Sequence, residues 1–145
     1  MRTETLRYHN DQPENYTRYN NYQKPYLEVS KVYDEENYLR SSTTYYRISQ
    51  NSESTKFSYN QTGLLATKAT FTDTLQVAQD EWRYRYDQWG NLIEMHRYEN
   101  GKFLTDYQIV YDYKTGFLGS LIKKDVSADQ LSILRFTNYT YYPKP

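Results

Sequence analysis

Cysteine is absent from the 145-residue chain. That excludes a disulfide framework and thiolate zinc sites, and leaves the redox compartment open. Histidine is nearly absent, with only His9 and His96, far apart in sequence. A metal centre needs several convergent ligands, so neither a metal nor a cofactor is expected. The four prolines, Pro13, Pro25, Pro143 and Pro145, all fall outside the segment from Tyr26 to Tyr142. Proline cannot donate to a strand ladder, so this distribution suits a sheet spanning that segment. Neither sign of charge predominates, with 18 basic and 18 acidic residues. A phosphate backbone would meet no basic field, which argues against a nucleic-acid partner. No apolar run approaches the roughly 20 residues of a membrane helix, so no membrane span is expected. The apolar stretch of a signal peptide is missing from Met1 to Asn10, which leaves a cytoplasmic protein or one whose leader has been removed. Gly-x-Ser-x-Gly, phosphate-cradling and dinucleotide-binding signatures are also missing.

What the chain has in abundance is tyrosine, 19 residues of it, within an aromatic content of 18%. Tyrosine fits a pleated, half-buried surface and favours strand. It also buries a ring while its hydroxyl stays wet, so a polar chain of this kind can still fold. Four tyrosines open a short turn cassette ending on leucine: Tyr33 to Leu39, Tyr59 to Leu65, Tyr86 to Leu92 and Tyr111 to Leu118. They recur at steps of 26, 27 and 25 residues. A fixed period of that size marks stacked copies of one supersecondary unit.

The clearest strand is Glu81 to Asp87, where Trp82, Tyr84 and Tyr86 alternate with Arg83 and Arg85. Asp87-Gln88-Trp89-Gly90 then has the chemistry of a type I turn closed by a left-handed glycine. The strand Asn91 to Tyr98 returns, and Asn100-Gly101 is a strong hairpin signal, flanked by Glu99 and Lys102. The strand Phe103 to Asp112 follows, and Gly116 closes a turn one residue longer. This register places Tyr86 beside Leu92, Leu92 near Ile109, and Tyr98 beside Phe103, all on one aromatic face with Trp82, Tyr84 and Tyr107. It also points His96 into that face and sets Glu94 opposite Tyr84. Further strands are expected at Tyr26–Tyr33, Tyr38–Ile48, Thr55–Tyr59, Leu64–Thr72, Phe117–Lys124 and Leu131–Tyr142. The linkers Asp73–Asp80 and Asp125–Gln130 have room for a helical turn, and residues 1–25 read as an irregular lead-in with room for one edge strand. The expectation is a single all-β domain over residues 1–145, an antiparallel meander of about nine strands. A sheet of that size tends to curl, closing toward a barrel.

The segment Trp82 to Ile93, with its Tyr-Asp-x-x-Gly-Asn-Leu core and the following Tyr98 and Asn100-Gly101, resembles the YD or Rhs repeat family of bacterial surface and toxin proteins. The second copy has Asn60 for aspartate. The fourth has an extra residue and Phe117 for asparagine, and the first has Asn37 for glycine. The resemblance implies a hairpin-built sheet, an extracytoplasmic location, and shell, scaffold or glycan-contact roles. It carries no catalytic residues.

Asp87, Gly63, Gly90, Gly101 and Gly116 are therefore expected to be structural turn residues. The functional lead is the aromatic surplus. Trp89 stands in a turn, where burial is not required, and with Tyr113 and Tyr86 it forms a candidate stacking platform for sugars or hot spot for a protein. The expected protein is a non-enzymatic scaffold or binding module. Alternatives are an intracellular immunity protein neutralising a toxin and, last, a glycan-active enzyme, for which no paired carboxylates are visible in the sequence.

Overall fold

The computed structural model describes residues 4–9, 12–73, 77–127 and 130–142. Among these described residues, eleven strands form a single antiparallel sheet in strict sequence order. They are β1 (Glu4–His9), β2 (Gln12–Tyr19), β3 (Pro25–Tyr33), β4 (Leu39–Tyr46), β5 (Asn51–Tyr59), β6 (Leu65–Thr72), β7 (Asp80–Tyr86), β8 (Leu92–Glu99), β9 (Lys102–Tyr111), β10 (Leu118–Ser127) and β11 (Gln130–Asn138). Alternate turns therefore lie at opposite ends of the sheet. The turns after β3, β5, β7 and β9 define one end, called the cassette end below.

Three expectations need correction. The sheet is open: among the described residues each strand touches only its sequence neighbours, and β1 and β11 lie at opposite edges with no contact between them. Closure toward a barrel is therefore absent. The lead-in holds two paired strands, β1 and β2, where the expectation is at most one edge strand, and Pro13 is tolerated in β2 because it stands opposite Tyr8 where the register shifts. In the linker Asp125–Gln130, β10 runs on to Ser127 and β11 begins at Gln130 opposite it, so strand pairing extends into it, while residues 128–129 lie outside the described residues. In the other linker, residues 74–76 lie outside the described residues. Asp73 on its near side accepts a hydrogen bond from Ser52 N at 2.6 Å.

The two faces differ. A register shift between Arg85 and Tyr86 keeps Tyr86 opposite Leu92 but sets Tyr84 opposite Met95 and Arg85 opposite Glu94. One face then carries Trp82, Tyr84, Met95, Tyr107, Ile109 and Leu121, joined through the β8–β9 and β9–β10 pairings. Trp82 stacks on Tyr107 with centroids 5.8 Å apart, and Arg97 and Lys123 cover those two rings. The other face carries Arg83, Arg85, Glu94, His96 and Asp106. His96 and Glu94 thus leave the aromatic face assigned to them, and so do Tyr98 and Phe103, which pair on the charged side. One extra residue at each of two bulges inverts everything beyond it, because side chains alternate with period two.

Burial is shallow throughout. Among the described residues only Val29, Ala78, Thr105 and Asp106 are buried, and no large side chain is fully enclosed. Flat single sheets of many strands persist where side-chain ladders stabilise them. Here the ladders are rings, ion pairs such as Asp80–Arg97 at 2.7 Å, and hydroxyl pairs such as Ser58–Thr67 at 2.6 Å.

Candidate binding surface

Each cassette turn is built by its first residue. Asp87 Oδ1 accepts hydrogen bonds from Trp89 N and Asn91 N, both at 2.9 Å. Asp34 and Asn60 make the same pair of bonds two and four residues on. In the longer turn, Asp112 Oδ1 accepts from Lys114 N and Thr115 N. The residue that closes each turn must take positive φ, which glycine does without penalty. Gly63, Gly90 and Gly116 stand at +78°, +86° and +71°, and Asn37 at +65°. At the opposite end of the sheet, Asn100 and Gly101 both have positive φ, as the tight hairpin requires.

Burial opposes ionisation of Asp87, but hydrogen bonds from the Asn91 side chain and from the Asn91, Trp89 and Gly90 amides outweigh it. Its carboxyl is held below the ordinary value of 3.8. Asp34 behaves likewise: burial opposes, and Tyr38 N and Arg40 prevail. Asp112 is lowered chiefly by the Lys114 and Thr115 amides.

These turns decide which aromatic side chains face water. Trp89 has its amide fixed by Asp87 and its indole 77% exposed, and Tyr113, on the next turn of the same end, is 90% exposed. Tyr86 is not part of this surface. It is half-buried, and its hydroxyl donates to Leu65 O at 2.9 Å. Tyr59 donates to Leu39 O and Tyr111 to Leu92 O in the same way, so the tyrosines of the last three cassettes are each tied to the leucine of the cassette before.

Beside Tyr113 lies a groove of about 470 Å³ lined by Asp112, Thr115, Phe117, Tyr139, Tyr141 and Tyr142, among others. Phe117 and Tyr141 pack at 4.9 Å, and Tyr139 N donates to Gly119 O, anchoring the segment that follows β11. Of the thirteen exposed large hydrophobic side chains described, six lie here: Trp89, Tyr113, Phe117, Tyr139, Tyr141 and Tyr142. Sequence reading placed Tyr139 to Tyr142 in the last strand and so missed them. Strand pairing ends at Asn138, and three tyrosines in the next four residues were the available signal.

Two other features compete. A concavity of about 440 Å³ over β2, β3 and β4 is lined by Tyr16, Tyr19 and Tyr45 with Asn15, Glu28 and Thr43, among others, and its three tyrosines are half-buried rather than exposed. On the charged face, His96 Nε2 lies 3.3 Å from Asp106 Oδ1 and 3.7 Å from Glu94 Oε2. Arg85 reaches Glu94 at 2.8 Å and Lys124 reaches Asp106 at 3.6 Å. Carboxylates that looked unrelated in sequence are thus brought together, but each already has a cationic partner. Among the described residues, no group of three or more histidines and carboxylates has a metal-holding arrangement. No protein-family model matches this chain, and no curated protein matches it.

Proposed function

We propose that this protein is a non-catalytic β-repeat module of a bacterial envelope or secreted protein, a scaffold whose cassette end binds a glycan or protein ligand. The observation that carries the reading is the concentration of exposed rings at one end of the sheet, on turns whose backbone is already ordered. Rigid, exposed aromatics lose little entropy on binding and gain much from desolvation. The cassette pattern's likeness to YD and Rhs repeats supports the bacterial, extracytoplasmic setting. A catalytic reading is weaker, because Glu94 and Asp106 are committed to Arg85, His96 and Lys124 on an open face.

The test compares the intact chain with Trp89→Ala and Tyr113→Ala for retention on bacterial envelope fractions, alongside thermal melts. Retention should fall by about tenfold, while the melting temperature moves by less than about 2 °C, as for an exposed residue. Unchanged retention by both variants would refute the reading. A large drop in melting temperature for Trp89→Ala would show the indole to be part of the fold.

A further inference from the structure

We infer that the aromatic face of β7–β10 is the interface of a homodimer, in which two copies pack face to face as the layers of a β-sandwich. Nothing in this pairing depends on a ligand at the cassette end. A sheet is stable in water when a second layer covers its apolar face. Among the described residues every strand lies in one layer, only Val29 and Ala78 are buried apolar residues, and no large side chain is fully enclosed. The uncovered area is of the size a dimer needs. The accessible surface of 11088 Å² exceeds the roughly 7,900 Å² of a compact 17.6 kDa monomer by about 3,200 Å². Obligate homodimers remove roughly 1,000–2,500 Å² from each partner. Edge-to-edge pairing through β1 or β11 would leave both faces wet and most of that surplus in place.

Chemistry selects the face. Tyr84 stands opposite Met95, Met95 opposite Tyr107, and Ile109 opposite Leu121, so these side chains form one patch on four adjacent strands. Each of the five is only half-buried. On the side away from the cassette turns the Asp80–Arg97 and Lys123–Asp125 pairs bound the patch, as charges do at the rim of an interface. The reverse side of the same strands holds Arg85, Glu94, His96, Asp106 and Lys124, and enclosing it would desolvate several charges. A second copy is the partner that fits. Its patch is identical, so a two-fold axis between the sheets sets each patch against itself. The formal net charge is zero, so two copies do not repel. Tyrosine and methionine suit such a contact, since rings and thioether pack together while the phenol hydroxyls reach the wet rim.

The experiment measures the mass of the intact chain by sedimentation equilibrium from about 1 to 100 µM, with melting temperature over the same range. The expected species is twice 17.6 kDa, with a melting temperature that rises with concentration. Ile109→Lys, which sets a charge in the patch, should give a monomer. Ile109→Thr keeps the β-branched strand residue, and should fold by circular dichroism while raising the dimer dissociation constant about tenfold. Val110→Lys, one position along but on the opposite face and 48% exposed, should leave the dimer intact, and so should Trp89→Ala. A monomer throughout the range would overturn the dimer and leave the face to another partner. A mass that keeps growing with concentration would overturn it in favour of edge-to-edge assembly. A dimer indifferent to both Ile109 substitutions would overturn it too, and its loss with Val110→Lys or Trp89→Ala would move the interface to the charged face or the cassette end.

Discussion

Gly63 and Gly116 occupy the same position in their turns but face different surroundings. A Cβ on Gly63 would overlap the Tyr38 hydroxyl, and the Tyr38 ring is held against Tyr59 at 4.8 Å. A Cβ on Gly116 would meet nothing within 4 Å. Gly116→Ala should therefore cost only the positive-φ penalty, about 1 kcal/mol, and Gly63→Ala roughly 1 kcal/mol more through the displaced ring. Urea denaturation midpoints of the two variants measure the difference. Equal losses would mean that Tyr38 yields without cost.

The turn carboxylates bound stability on the acid side. Asp34, Asp87 and Asp112 have folded values below the ordinary 3.8. Their stabilisation is present above the unfolded value and is lost as pH falls from about 3.8 through the folded values. Burial acts oppositely on Tyr59, Tyr84 and Tyr86, raising their hydroxyls above 10.0, so their contribution is present below 10.0 and is lost as pH rises through the folded values. Melting temperature should form a plateau between those limits. Asp87→Asn should flatten the acid limb, because an amide oxygen caps the turn without titrating, as Asn60 already does. An unchanged acid limb in that variant would place the acid sensitivity elsewhere.

Between elements, the recurrent tie is a tyrosine hydroxyl reaching the leucine carbonyl one cassette back: Tyr59 to Leu39, Tyr86 to Leu65 and Tyr111 to Leu92. It gives the opening tyrosine of the last three copies a use for its hydroxyl that a phenylalanine would lack. Tyr86→Phe should cost about 1 kcal/mol, with more rapid amide exchange at the β6–β7 junction than elsewhere; a neutral substitution would show the bond to be incidental. The cassettes were legible in the sequence because positive φ and side-chain capping demand particular residues. A turn built the same way at Asn20, after β2 and so at the opposite end, was not, since Gln23 takes the left-handed position at φ 58° and Pro25 stands where leucine would be. Face assignment also failed beyond the bulges. Nothing local announces that one extra residue at Arg85/Tyr86 or Arg97/Tyr98 turns Glu94, His96 and Tyr98 over.

At the scale of the molecule, the accessible surface is 11088 Å², while a compact monomer of 17.6 kDa exposes roughly 7,900 Å². The excess follows from a single layer with two wet faces. Whether a sheet closes depends on its two edges meeting, a relation between residues at the extremes of the chain that no local pattern encodes. The all-β meander was therefore readable and its openness was not. Of the surface at the cassette end, Trp89 and Tyr113 were readable as turn residues. The ring cluster after Asn138 became visible only when β11 carried it to the same end.

Strict sequence order has a mechanical consequence. Tension applied between β1 and β11 runs across the strands, along the direction of the ladder hydrogen bonds. Such a load peels one strand from its neighbour at a time and never shears a whole interface at once. The molecule would yield gradually and at low force, as an extensible ribbon, and each peeled strand would leave the remaining neighbour contacts intact.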